Sequence, residues 1–189
     1  RYQLDKFDRV DRISDLAAKI AGAAGESTNI ELVVNLVKLG GNGPIMANAM
    51  ASAGLGVTYV GGVGYPTLHP VFEPMAQRAT VHSLSEPGHT DALEFEDGKL
   101  MLGKLQPCTE IHWENVKSRI GLETYAQAAA ESDLIAAVNW TMLPHLESIW
   151  EGLLDEVLPG LPAKPRTFFF DLADPEKRTS ASLLHALHM

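Results

Sequence analysis

Two glycine-rich turns frame the stretch that most constrains how this 189-residue chain can fold. The first, Gly40-Gly41-Asn42-Gly43-Pro44, forces a sharp change of direction after Ile30–Leu39 (IELVVNLVKL), whose β-branched content predicts a strand. Pro44 suits a first helical turn. The segment Ile45–Ala53 is almost entirely Ala and Met with one Asn and one Ser, so a helix there can lie close against a neighbour, and Gly54 and Gly56 stop it. Val57–Val60 then reads as a short buried strand running into the second turn, Gly61-Gly62-Val63-Gly64. Strand, glycine turn, small-residue helix and strand together specify an α/β unit.

The rest of the chain extends that pattern. Ile13, Leu16, Ala17, Ile20 and Ala21 fall at helical spacing within Asp11–Ala24, closed near Gly25. Ala92–Leu102 (ALEFEDGKLML) alternates about Asp97-Gly98, a two-residue hairpin signal, with Leu93 and Phe95 on one face and Glu94 and Glu96 on the other. Helical spacing returns over Trp113–Ala130. Asp133–Val138 reads as a buried strand ending at Asn139-Trp140-Thr141, and His145–Leu158 as an amphipathic helix with Leu146, Ile149, Trp150, Leu153, Leu154 and Val157 on one stripe. A proline-rich loop leads to a strand at Thr167–Phe170, capped by Asp171–Pro175, and Thr179 can cap a last helix. The expectation is one α/β domain over 1–189, a mostly parallel sheet flanked by helices, with the hairpin at about 90–104 as a projecting piece.

Charge narrows the partners. Lys and Arg number 15 against 24 Asp and Glu, so the net charge is 15 − 24 = −9, which argues against nucleic acid and anionic membrane surfaces. Cys108 is the only cysteine, so no intrachain disulfide forms and no thiolate zinc cluster is available. No run of 18 apolar residues is present, and Arg1–Asp15 is too charged for a secretory signal, so a cytoplasmic location is expected. The chain opens on Arg1 rather than Met, which suggests that something upstream is missing or was removed.

In open sheets of this kind ligands sit beyond the carboxyl ends of the strands. Here those ends are Gly40–Gly43, Gly61–Gly64, Asn139–Thr141 and Asp171–Asp174. Asn42 and Asn48 offer amides that both donate to and accept from a hydroxyl, although Asn42 also suits a turn and Asn48 a helix surface. Asn139 is a further strand-end amide. Asp171 and Asp174 can hold magnesium or accept from a hydroxyl, and Asp174-Pro175 also reads as a turn start. His89, beside the hairpin, is the histidine best placed to touch a ligand. His185 and His188 make half a metal site without an evident third ligand, and Trp113, Trp140 and Trp150 read as core or interface residues, with Trp140 close to the strand ends.

The run from Gly40 to Ala49, the Gly54-Leu55-Gly56 stop and the strand into Gly61–Gly64 resemble the first signature of the ribokinase-like (PfkB) carbohydrate kinases. The order hairpin, strand to Asn139, long helix and strand to Asp171 is similar to that family's N-terminal arrangement. The resemblance implies sugar binding through Gly41, Asn42, Gly43 and Asn48, with the hairpin as a lid that can pair two subunits into a homodimer. It also implies a reaction in which ATP or ADP, with magnesium, phosphorylates a sugar hydroxyl. Three departures accompany it. The family's Asn lies nearer its Gly-Gly pair than Asn48 does, Gly64-Tyr65-Pro66 stands where an Asp is usual, and the family's catalytic Gly-Ala-Gly-Asp stretch has no counterpart. By this comparison the chain is the sugar-side part of a kinase, without its nucleotide half. The alternative is a non-catalytic sugar- or nucleotide-binding α/β module. A dinucleotide-binding domain is disfavoured because Gly61–Gly64 lacks the G-x-G-x-x-G spacing.

Overall fold

A computed structural model describes residues 8–189, so the first part of the charged N-terminal stretch lies outside the described residues. In chain order the elements are α1 (Ile13–Gly22), α2 (Asn42–Ser52), β1 (Thr58–Gly62), α3 (Glu73–Ala76), β2 (Thr80–Ser85), β3 (His89–Phe95) and β4 (Gly98–Lys104). They continue with α4 (Trp113–Arg119), α5 (Leu122–Glu131), β5 (Leu134–Ala137), α6 (Leu146–Gly152), β6 (Thr167–Phe170) and α7 (Ser180–His188). The chain divides into two compact units, one from the stretch up to Leu36 with His89–Lys104, the other from Val37–Gly88 with Leu105–Met189.

The larger unit is α/β, with small parallel sheets flanked by helices. β1 pairs with β2 in parallel from Thr58↔Thr80 to Gly61↔Ser83, and the register breaks at Gly62. β5 pairs with β6 in parallel, Leu134↔Thr167 through Ala137↔Phe170. The parallel pairing is thus divided between two separate pairs. Each crossover carries helical segments, as parallel neighbours require. One core gathers Leu84, Trp113, Val116, Trp140, Leu146, Ile149, Trp150, Leu153 and Val157, and a second joins Ala47, Val63, Phe72 and Met75. All three tryptophans are buried, as core residues.

Four local expectations are corrected. Ile30–Leu39 forms no strand, and its apolar side chains stand in the open, Val33 at 73% and Val34 at 72% exposure. β-propensity measures fit to a pleated, half-buried surface, and among the described residues no strand pairs with this run. The helix expected over Trp113–Ala130 is two helices, because Gly121 takes φ +92°, a left-handed conformation that ends one helix and opens the next. α6 stops at Gly152, and the chain widens into a π-helical turn over Leu153–Val157 before a tight turn at Leu158–Gly160. β2 was not anticipated, since Thr80–Ser85 (TVHSLS) mixes polar residues into a short run.

In the smaller unit β3 and β4 form the expected antiparallel hairpin, with Leu93 opposite Leu100. Phe95 pairs with Gly98, so the loop is Glu96-Asp97, one residue earlier than Asp97-Gly98. The reason lies in α1. Arg12 gives that helix no side-chain cap, and Asp97 Oδ1 accepts the Ile13 N–H at 2.9 Å instead, while the Glu96 N–H donates to the Asp11 carbonyl at 2.8 Å. An anionic acceptor suits the positive end of the helix. Asp91 accepts from Lys104 Nζ at 2.7 Å and lies 2.7 Å from His89 Nε2. The Lys104 bond, then the His89 bond, holds its carboxyl below the usual range.

Candidate functional site

The first glycine turn is positioned from its helix side. α2 buries Ala47 and Ala51, the small faces expected of it, and Ala47 packs with Val63, Phe72 and Met75. Gly41 precedes the helix at φ +84°, a conformation that side chains rarely adopt, and its carbonyl accepts the Ile45 N–H at 3.0 Å. A Cβ on Gly43 would come within 3.3 Å of the Tyr59 ring, and one on Gly61 would overlap the Tyr59 hydroxyl. Both glycine turns therefore border the ring of Tyr59, whose burial pushes its phenol pKa upward. This tyrosine was not among the residues expected at the site; its place on β1 beside two glycine turns is the signal that could have found it.

Asn42, Asn139 and Asp171 meet at the ends of β5 and β6, although 129 residues separate the first from the last. Asn42 Nδ2 donates to Asp171 Oδ2 at 3.0 Å. The Asn139 N–H donates to the same oxygen at 3.1 Å, and the Ala173 N–H to Oδ1 at 2.8 Å. Asn139 holds φ 72° and ψ 44°, the left-handed region that Asn tolerates better than most side chains. Desolvation pushes the Asp171 carboxyl upward, but the bonds from Asn42, Ala173 and Asn139 outweigh it and the group sits below its ordinary range.

Chemically this is a hydroxyl-recognition set. A carboxylate offers about four lone-pair sites. Three are filled by N–H donors, leaving acceptor capacity for a ligand O–H. Asn42 keeps its carbonyl oxygen and a second N–H, and the Asn139 side-chain amide makes no hydrogen bond among the described residues. The residues do not build an all-protein magnesium cage, which magnesium seldom uses, since one or two carboxylates with waters and phosphate oxygens commonly hold it. Asp171 is the single carboxylate here and is largely committed to N–H donors, and among the described residues no three His, Cys, Asp or Glu side chains converge on a metal position.

The remaining expected residues engage other partners. Asn48 Oδ1 accepts from Arg78 at 3.1 Å, and Asp174 pairs with Lys177 at 2.6 Å at the start of the turn over Pro175–Lys177. His89 belongs to the smaller unit and engages Asp91. Trp140 is fully buried behind the strand ends, its Nε1 donating to Glu147 Oε1 at 2.8 Å with the Arg178 guanidinium 4.3 Å from its ring. Neither Glu147 nor Arg178 carried a signal in the sequence.

The family profile described as prokaryotic ketohexokinase matches residues 1–188. The chain belongs to the prokaryotic ketohexokinase family. A ketohexokinase of Haloferax volcanii is 31% identical over 180 residues, covering 94% of this chain and 48% of that protein. The chain therefore spans about half the length of the curated relative it matches. No solved structure matches it. Membership bears out the sugar-kinase resemblance carried by the glycine turns. Among the described residues no helix is long and apolar enough to cross a membrane.

Proposed function

We propose that this chain forms the acceptor-binding part of a sugar kinase of the ribokinase-like type, and that its substrate is a ketohexose phosphorylated at a hydroxyl by a nucleotide. The observation that carries this reading is the convergence of the Asn42 side-chain amide and the Asn139 N–H on one Asp171 carboxylate oxygen, with unused acceptors and amide protons beside it. Such a mixed set suits a polyol, because each hydroxyl both donates and accepts. The Gly41 and Gly43 backbone flanks Asn42 and allows a ligand to come close. Name and sequence match support the phosphoryl-transfer class. ATP or ADP and magnesium belong to the proposed reaction, and no residue described above is assigned to them. Asn48 and Asp174 remain secondary candidates for contact with the sugar.

Calorimetric titration of D-fructose, a ketohexose, into the 189-residue chain tests this directly. Binding is expected, and Asn42→Ala is expected to weaken it at least tenfold. An unchanged dissociation constant in the variant would remove Asn42 from the site. A cytoplasmic, homodimeric protein completes the proposal. Met101 and Leu102 on β4 are exposed apolar side chains of the kind a second hairpin would cover. Sedimentation equilibrium is expected to show a dimer at micromolar concentration that Met101→Lys converts to monomer; a wild-type monomer would contradict the pairing.

A further inference from the structure

We infer that Arg178 is a positioning residue for the ketohexose site, acting through the turn that carries Asn139; this rests on the function proposed above. The guanidinium donates from one terminal nitrogen to the Trp140 carbonyl at 2.6 Å and the Leu143 carbonyl at 2.8 Å, and its Nε lies 3.4 Å from the Thr141 carbonyl. It stacks 4.3 Å from the Trp140 ring, and its other terminal nitrogen lies 3.9 Å from Glu147 Oε1, which accepts the Trp140 indole N–H at 2.8 Å. The Arg178 and Glu147 side chains are only 15% and 18% exposed. The carbonyls of Trp140, Thr141 and Leu143 in one short turn are thereby gathered by a single planar guanidinium, which a lysine's point charge cannot reproduce.

That turn aims the site. Asn139 opens it in the left-handed conformation, and its N–H reaches Asp171 Oδ2 at 3.1 Å, while the next residue's N–H reaches the Asp171 carbonyl at 3.1 Å. Thr141 Oγ1 also donates to the Leu172 carbonyl at 2.6 Å. Asn tolerates the left-handed region, and the hydrogen bonds around the turn fix which way Asn139 presents its N–H. With the carbonyls of Trp140 and Leu143 released, the turn shifts, the Asn139 N–H leaves Asp171 Oδ2, and that oxygen is no longer held in line with Asn42 Nδ2. Arg178 touches none of Asn42, Asn139 and Asp171 by hydrogen bond, so its influence runs through backbone geometry alone.

Two readouts on the 189-residue chain test this. The first is the side-chain amide resonance of Asn42 in a proton–nitrogen correlation spectrum, which reports the bond to Asp171 without any ligand. The second is the dissociation constant for D-fructose. Arg178→Lys is expected to move the Asn42 amide toward the position of a water-bonded amide and to weaken fructose binding at least tenfold. Leu16→Ala, a change to a buried residue of α1 in the smaller unit, is expected to lower stability and leave both readouts alone. Should Arg178→Lys fail to fold, Glu147→Gln, which keeps an acceptor for Trp140 but removes the charge beside Arg178, is expected to move the same resonance in the same direction by less. An Asn42 resonance and affinity unchanged in Arg178→Lys, or a resonance unchanged in the Glu147→Gln fallback, would overturn the inference, and so would a moved resonance with unchanged affinity. Absence of fructose binding by the wild type would instead sink the functional reading, leaving the amide resonance to decide the role of Arg178.

Discussion

Asp171 ties together residues from three distant parts of the chain, and its ionisation is the most direct handle on them. Burial raises its pKa, but the donors Asn42, Ala173 and Asn139 lower it further, so the folded protein holds the carboxylate more firmly than the unfolded chain does. That contribution to stability is present in full above the ordinary carboxylate pKa and is lost as pH falls from there through the lowered folded-state value. Asn42→Ala removes the largest of the lowering bonds. A carbon-detected pH titration of the Asp171 carboxyl is expected to show an upward shift in this variant, and an unmoved titration would mean that the bond does not persist in solution. Asn139 and Asp171 were legible as strand-end polar residues, and Asn42 as a glycine-turn amide, although the strand expected before it does not form. Asn48 was legible only as an amide on a helix, and the arginine that occupies it, Arg78, left no trace because its partner is set by packing rather than spacing.

At the scale of elements, what the sequence specified well was what local chemistry decides. The start of α2, the hairpin and the Thr179 cap, whose side chain accepts from the Ser182 N–H at 3.2 Å, follow from turn and capping residues. Ile30–Leu39 failed because a strand needs a partner that the run itself cannot name. The break between α4 and α5 follows from the positive φ of Gly121, and the widened turn after α6 packs on Trp113. A Cβ placed on Gly152 would overlap the Trp113 ring, whose Nε1 donates to Glu156 Oε1 at 2.6 Å. Gly152 is thus a packing requirement, not a helix stop. Gly152→Ala, normally favourable inside a helix, is expected to destabilise the chain by about 1–3 kcal/mol through overpacking. Urea denaturation followed by tryptophan fluorescence measures it, and an equal or raised midpoint would show that the indole can move aside.

For the whole molecule, the α/β class was readable from the alternation of elements, because each glycine turn and apolar run constrains its neighbours. The division of parallel pairing into β1–β2 and β5–β6 was not readable, since sheet membership is settled by contacts between segments far apart in the chain. The turn motif pointed to a sugar kinase, and the prokaryotic ketohexokinase profile matches residues 1–188. The substrate is the step that solution work must supply. A proton–nitrogen correlation spectrum of the labelled 189-residue chain, recorded as D-fructose is added, reads every backbone amide and Asn side chain at once. The account expects saturable shifts concentrated at Gly41, Asn42, Gly43, Asn139 and Asp171. Saturable shifts elsewhere with these five unmoved, or no saturable shift at all, would contradict it.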